Sequence, residues 1–180
     1  MTIKHEDPEK AALREALLSG FHKTFWEQFS RAHINDDKTI KWLFEFMLEG
    51  RDRTAQTSSE IIRYMSDLNP QIVEPFVDTL INKLKTNCQD GVKRCIFRMF
   101  QRCTFSEAQT GNVVVLAYQH LQDRSNAIAI RVFAMTTIYN ITKTYPDLHN
   151  ELVVCISENL NEESAGFRSR AGKIMNRTWK

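Results

Sequence analysis

The 180-residue chain sets 24 Lys and Arg against 22 Asp and Glu, a formal net charge of +2, with 42% hydrophobic and 26% charged residues. This balance suits one folded domain burying roughly 70% of its unfolded surface, and it falls short of the strongly basic composition that alone argues for nucleic acid. No run of 18 apolar residues occurs and the opening Met-Thr-Ile-Lys-His-Glu-Asp-Pro has no secretion-signal core, so a cytoplasmic protein without a membrane span is expected.

Residues 7–19 and 21–33 read as two short helices separated by Gly20. Phe21, Phe25, Trp26 and Phe29 form an aromatic stripe at spacings of 4, 5 and 8. We read it as the cap of a helical stack, in preference to an aromatic binding site. Residues 1–36 are then N-terminal capping helices of a single domain, 1–180. Four helical pairs follow: about 37–49 with 54–68, 70–86 with 88–103, 106–122 with 125–144, and 147–160 with 164–178. Pro70 and Pro146 lie 76 residues apart, and each marks the first turn of the first helix of a pair, where a missing N–H costs nothing. First-helix faces are apolar at helical spacing, as in Val73, Val77, Leu80 and Leu84, or Leu148, Leu152 and Ile156. The run Val113-Val114-Val115-Leu116 has strand character, but the period places it in a helix, and a buried helical turn is expected there.

The second helices repeat almost without drift. Thr57, Ile61, Tyr64, Met65 and Leu68 return 35 residues on as Val92, Ile96, Met99, Phe100 and Cys103. They return 38 further on as Ile130, Ala134, Thr137, Ile138 and Ile141, and 37 beyond that as Phe167, Ala171, Ile174, Met175 and Thr178. Offsets of 0, 4, 7, 8 and 11 trace one helix face. Self-similarity at such a period marks a stacked repeat protein.

No chemistry-bearing constellation accompanies the repeat. Cys88, Cys95, Cys103 and Cys155 show no C-x-x-C pairing and read as inert reduced thiols, Cys103 in the core. His5, His22, His33, His120 and His149 have no ligand spacing, so no metal site is expected. Phosphate-binding Gly loops and nucleophile elbows are absent. A non-enzyme without cofactors is the expectation.

Second helices open on Gln89-Asp90-Gly91-Val92-Lys93, Ile130-Arg131 and Ser164-Ala165-Gly166-Phe167-Arg168, and Pro75 sits early in a first helix. On these residues the chain resembles HEAT-like, armadillo-type repeat proteins over about residues 37–178, and is similar to small uncharacterised bacterial proteins of that type. The first pair departs from the pattern, with Thr57-Ser58 in place of the apolar–basic dipeptide. The resemblance implies an all-α, right-handed α-α superhelix of about four to five antiparallel helical pairs. It supplies no activity.

In such a superhelix the second helices line the concave side. Equivalent positions there are Arg63, Arg98, Thr136 and Lys173, and one turn on Asp67, Arg102, Asn140 and Arg177. With Arg94 these give a candidate basic stripe of Arg63, Arg94, Arg98, Arg102, Lys173 and Arg177. Two readings follow. In the preferred one the protein is a non-enzymatic scaffold offering a curved surface to a protein or peptide partner, and the stripe pairs with neighbouring carboxylates. In the other it binds nucleic acid in the manner of DNA-alkylation-repeat proteins, the stripe tracking a phosphodiester backbone. Lys93, Arg131 and Arg168 read as ladder residues between repeats. Sequence does not set the oligomeric state.

Overall fold

Several helices begin where the chain supplies a side-chain acceptor. Asp36 takes hydrogen bonds from the Thr39 hydroxyl at 2.6 Å and the Thr39 N–H at 3.2 Å, starting a helix at Asp37. Those bonds hold its carboxyl below the usual range. Ser106 and Gln109 form a reciprocal capping box, Ser164 accepts from the Phe167 N–H, and Asn69 accepts from the Gln71 N–H.

A computed structural model describes residues 7–19, 23–50, 53–158 and 160–178. Its helices are α1 (Pro8–Ser19), α2 (Lys23–His33), α3 (Asp37–Glu49), α4 (Arg53–Leu68), α5 (Val77–Leu84), α6 (Asp90–Phe100), α7 (Glu107–Gln122), α8 (Ile128–Ile141), α9 (Leu148–Ser157) and α10 (Ala165–Met175). Short 3-10 segments cover Pro70–Phe76 and Leu160–Glu162. Among the described residues there is no strand. Phe21 of the expected aromatic stripe, and Gly20 read as the break before it, lie outside the described residues.

The expected helix at 70–86 is split. Pro75 has no N–H for a helical bond and its ring crowds the preceding turn, so the segment starts as 3-10 and turns α-helical only at Val77. The helix before it, α4, ends at Leu68, and the expected 88–103 contracts to α6.

The chain divides into two units, Met1–Met99 and Phe100–Lys180. In the first, α4 is the hub, packing on α1, α2, α3 and the Pro70–Phe76 segment. Ten of its 16 residues are buried, many of them small and polar. Ser59 and Ser66 satisfy their hydroxyls on the Gln56 and Arg63 carbonyls, each at 2.7 Å. Half-buried Trp26 and Phe29 lie on α2, and Trp26 stands 6.5 Å from Tyr64 of α4. In the second unit α8 is the hub, packing on α7, α9 and α10 with ten of 14 residues buried. Thr136 and Thr137 donate to the Val132 and Phe133 carbonyls at 2.8 and 3.0 Å.

Offsets 0 and 4 of the repeat are buried in all four second helices. Offset 11 is buried only at Ile141: α6 and α10 stop before that position, and Leu68, the last residue of α4, is 46% exposed. Two expectations are corrected here. Cys103 is half-buried and past the end of α6. In α7, Val113 and Leu116 are buried, but Val115 is 56% exposed.

Polar contacts carry the same period. Lys83 donates to the Leu48 carbonyl across 35 positions, Arg170 to the Thr136 hydroxyl across 34, Arg124 to Glu162 across 38, and Arg131 to Glu163 across 32. Each therefore joins one pair to the next within its unit.

His149 on α9 is buried, 6.1 Å from the Tyr139 ring, with Nδ1 unpartnered among the described residues. Burial, then the charge of Arg177, push its pKa below the ordinary 6.5. The folded state thus keeps it neutral where the unfolded chain is protonated. Its contribution is intact above about pH 6.5 and is lost as pH falls below that value. Urea titrations from pH 7 to 5 should show stability falling, with a shallower slope for His149→Gln. Ile96 is fully buried in α6. Ile96→Asp should lower unfolding free energy by several kcal/mol, on the order of 3 or more, and an unchanged Tm would refute the repeat register.

Candidate functional site

On α4, Glu60, Arg63 and Asp67 follow at i, i+3 and i+7, so they stand one above another on a single face. The Arg63 Nε donates to Glu60 Oε2 at 3.0 Å and its Nη1 to Asp67 Oδ2 at 3.1 Å. Its guanidinium also covers the Tyr64 ring at 3.8 Å. From α6, Arg94 Nη2 donates to Glu60 Oε1, and Arg98 Nη2 lies 3.9 Å from Asp67 Oδ1. Arg63, Arg94 and Arg98 are thereby brought together around two carboxylates.

Glu60 is only 6% exposed. A carboxylate this buried is sustained by charged donors, and two guanidiniums supply them. Its field is felt next door. Burial first, then the Glu60 charge, push the Cys95 thiol up to about 12, so this cysteine stays protonated and unreactive at neutral pH.

The other three stripe residues fall in the second unit. Arg102 is exposed in the turn after α6. Lys173 is exposed in the last turn of α10, and Arg177 is exposed just beyond it. Arg177 has φ 53° and sits in the left-handed position of a helix-ending turn. There its N–H meets the Ile174 carbonyl at 3.0 Å, and the Thr178 N–H meets the Lys173 carbonyl at 2.8 Å.

The ladder residues differ among themselves. Lys93 pairs within its own helix, with Asp90 at 3.2 Å. Arg131 is 7% exposed and spends Nε on the Leu121 carbonyl at 2.9 Å and both Nη on Glu163 at 2.9 and 2.5 Å. Its guanidinium also packs on Phe167 at 4.8 Å. Arg168 donates to the Glu163 carbonyl. Arg131 is thus a clamp between α8 and the segment leading into α10, with its polar atoms committed to the fold.

Sequence reasoning missed Glu60 and Glu163. The Glu60–Arg63–Asp67 spacing and the one-repeat separation of Glu60 from Arg94 are the signals that reveal the first. Glu163, 32 residues after Arg131, is found only once the helical pairs are in register. Among the described residues no three His, Cys, Asp or Glu are placed to hold a metal ion. No described helix is long and apolar enough to cross a membrane.

A family model described as a HEAT repeat domain matches residues 13–178. The chain belongs to the HEAT repeat family. Its fold is the all-α helical-repeat fold of that family, a scaffold that commonly mediates protein interactions. No curated protein matches the chain, and no solved structure does.

The cluster on α4 and α6 sets unequal costs for its members. Glu60→Gln takes the shared anion from Arg94 and leaves Arg63 with Asp67 alone, and should cost about 1–3 kcal/mol in urea unfolding. Arg94→Ala leaves Glu60 on Arg63 alone but removes a side chain that is 41% exposed, so it should cost about 1 kcal/mol, less than Glu60→Gln. Equal losses would show that Glu60 is not the centre of the cluster.

Proposed function

We propose that this HEAT repeat protein is a non-enzymatic scaffold whose second-helix face takes a protein or peptide partner. Residues 1–36 serve it as a cap and residues 37–178 as four repeats. What supports this reading over a phosphate-tracking one is the alternation of charge on α4 and α6. Arg63, Arg94 and Arg98 each have a carboxylate oxygen of Glu60 or Asp67 within 4 Å. A phosphodiester gains affinity by releasing counterions from uncompensated cations. Cations already held by carboxylates offer less of that gain. An interleaved surface of guanidinium, carboxylate and aromatic groups suits the mixed polar and ring contacts of a protein interface.

The test places a photoreactive residue at Arg98 and cross-links in cells. The expected adduct is digested by protease and resists nuclease. A nuclease-sensitive adduct, or low-salt retardation of a short DNA duplex that Arg94→Glu with Arg98→Glu abolishes, overturns the reading in favour of nucleic acid.

A further inference from the structure

The first helices of the last two pairs carry a second surface that the charged cluster does not use. On α7, Glu107, Thr110, Gly111, Val114, Val115, Tyr118, Gln119 and Gln122 line one side of a groove, recurring at three- and four-residue steps along the whole helix. On the other side stand Asp147, then Leu148, Glu151, Val154 and Cys155 of α9, and Glu158 just past its end, with the same stepping. The groove consists of two adjoining open hollows of about 450 and 530 Å³ that share Val114. It follows α7 for about 22 Å, the length of four helical turns.

Folding alone gives little reason for this composition. Val115 is 56% and Val154 62% exposed, although β-branched residues are poor helix formers and neither gains burial in return. With Tyr145, they make three of the six large apolar side chains exposed among the described residues. All three line this groove. Gly111 stands in the interior of α7, where a Cβ would meet nothing within 4 Å. The fold needs no glycine there, and its absent side chain leaves the backbone open to close approach.

Charge then says what covers the groove. Its rim holds four carboxylates, Glu107, Asp147, Glu151 and Glu158, and no Lys or Arg among the described lining residues. The negative field reaches the floor: burial first, then the Glu151 charge, push the Tyr118 hydroxyl up. An apolar trough with three carboxylates along its α9 side and a fourth at the start of α7 repels a nucleic acid or an anionic lipid surface and complements cations beside an apolar stripe.

We propose that the α7–α9 groove docks a cationic amphipathic helix of a partner protein, its apolar stripe on Val114, Val115, Tyr118 and Val154 and its Lys or Arg on the four rim carboxylates. This goes beyond the scaffold reading and stands on α7 and α9 alone. Loss of the groove therefore leaves adducts at Arg98 unchanged, and loss of those adducts leaves the groove intact.

The probe is a fluorescein-labelled amphipathic helix of Leu and Lys, compared with a Leu and Glu helix of the same pattern, followed by polarisation at rising salt. The Lys helix should bind the full chain more weakly as salt rises, and the Glu helix should not bind. Glu151→Lys with Glu158→Lys, and separately Val154→Asp, should each weaken binding at least tenfold without lowering Tm, since all three residues are exposed. Gly111→Ala should weaken binding while raising Tm by about 2–4 °C. Amide shift changes should fall on α7 and α9. The proposal is overturned if the Lys helix does not bind, if both helices bind alike, if the rim reversals leave affinity unchanged, or if the shifts fall elsewhere. Self-association of the chain that Val154→Asp abolishes would also overturn it, in favour of a second copy as the occupant.

Discussion

Each of the two units is organised around one helix that buries a charge. In the first it is Glu60 on α4 and in the second Arg131 on α8, 6% and 7% exposed. Transferring either from water is expensive, and attraction to a partner repays this only with near-complete hydrogen bonding. Both meet that condition with groups about one repeat away, Arg94 for Glu60 and Glu163 for Arg131. Such pairs add little net stability over well-packed apolar residues. Their effect lies in geometry. An apolar seam of Ile, Val and Met tolerates sliding by a turn, whereas a buried carboxylate aligned with its guanidiniums does not. The separations of 32 to 38 residues across the Arg94, Arg124, Arg131 and Arg170 contacts are this constraint written into sequence.

The helical skeleton was legible for the same reason. A face that must bury at every turn fixes its spacing to the helical period, and neighbouring pairs that share a seam repeat it. At Pro75 the expected 70–86 helix proved too long, since the segment starts as 3-10 and becomes α-helical only at Val77. Legibility failed where burial depends on how far a helix runs. Cys103 continues the periodic pattern, but α6 has ended at Phe100, so the thiol is only half-buried. It failed again at Val113–Leu116, because apolar character does not say which of four consecutive residues faces a neighbour. Helical geometry turns Val113 and Leu116 inward and Val115 outward.

Charged residues were legible as positions and not as partnerships. Arg131 stood out as a residue between repeats, and the structure gives it that role through Glu163. Arg63, Arg94 and Arg98 stood out as a basic stripe, which is half of the arrangement on α4 and α6. The missing half is acidic: Glu60 lies among small polar residues, and Asp67 holds a stripe position itself. A count of cations along a helix records charge without compensation, and compensation decides the electrostatic character of a face.

That compensation bears on how a partner is recognised. Half-buried pairs held as loosely as Arg98 and Asp67, 3.9 Å apart, contribute on the order of 1 kcal/mol or less, so a partner that displaces them gives up little. Arg94 is different, because taking it from Glu60 leaves a buried carboxylate with Arg63 alone. On the proposed reading, a partner carboxylate on this face would be best accommodated at Arg98, and a partner cation at Asp67, while the Glu60 centre stays closed. Charge placed in this way selects among partners by penalising mismatched ones more than by adding affinity to matched ones. Affinity on this face then has to come from apolar contact, which the α4–α6 cluster offers mainly through Tyr64.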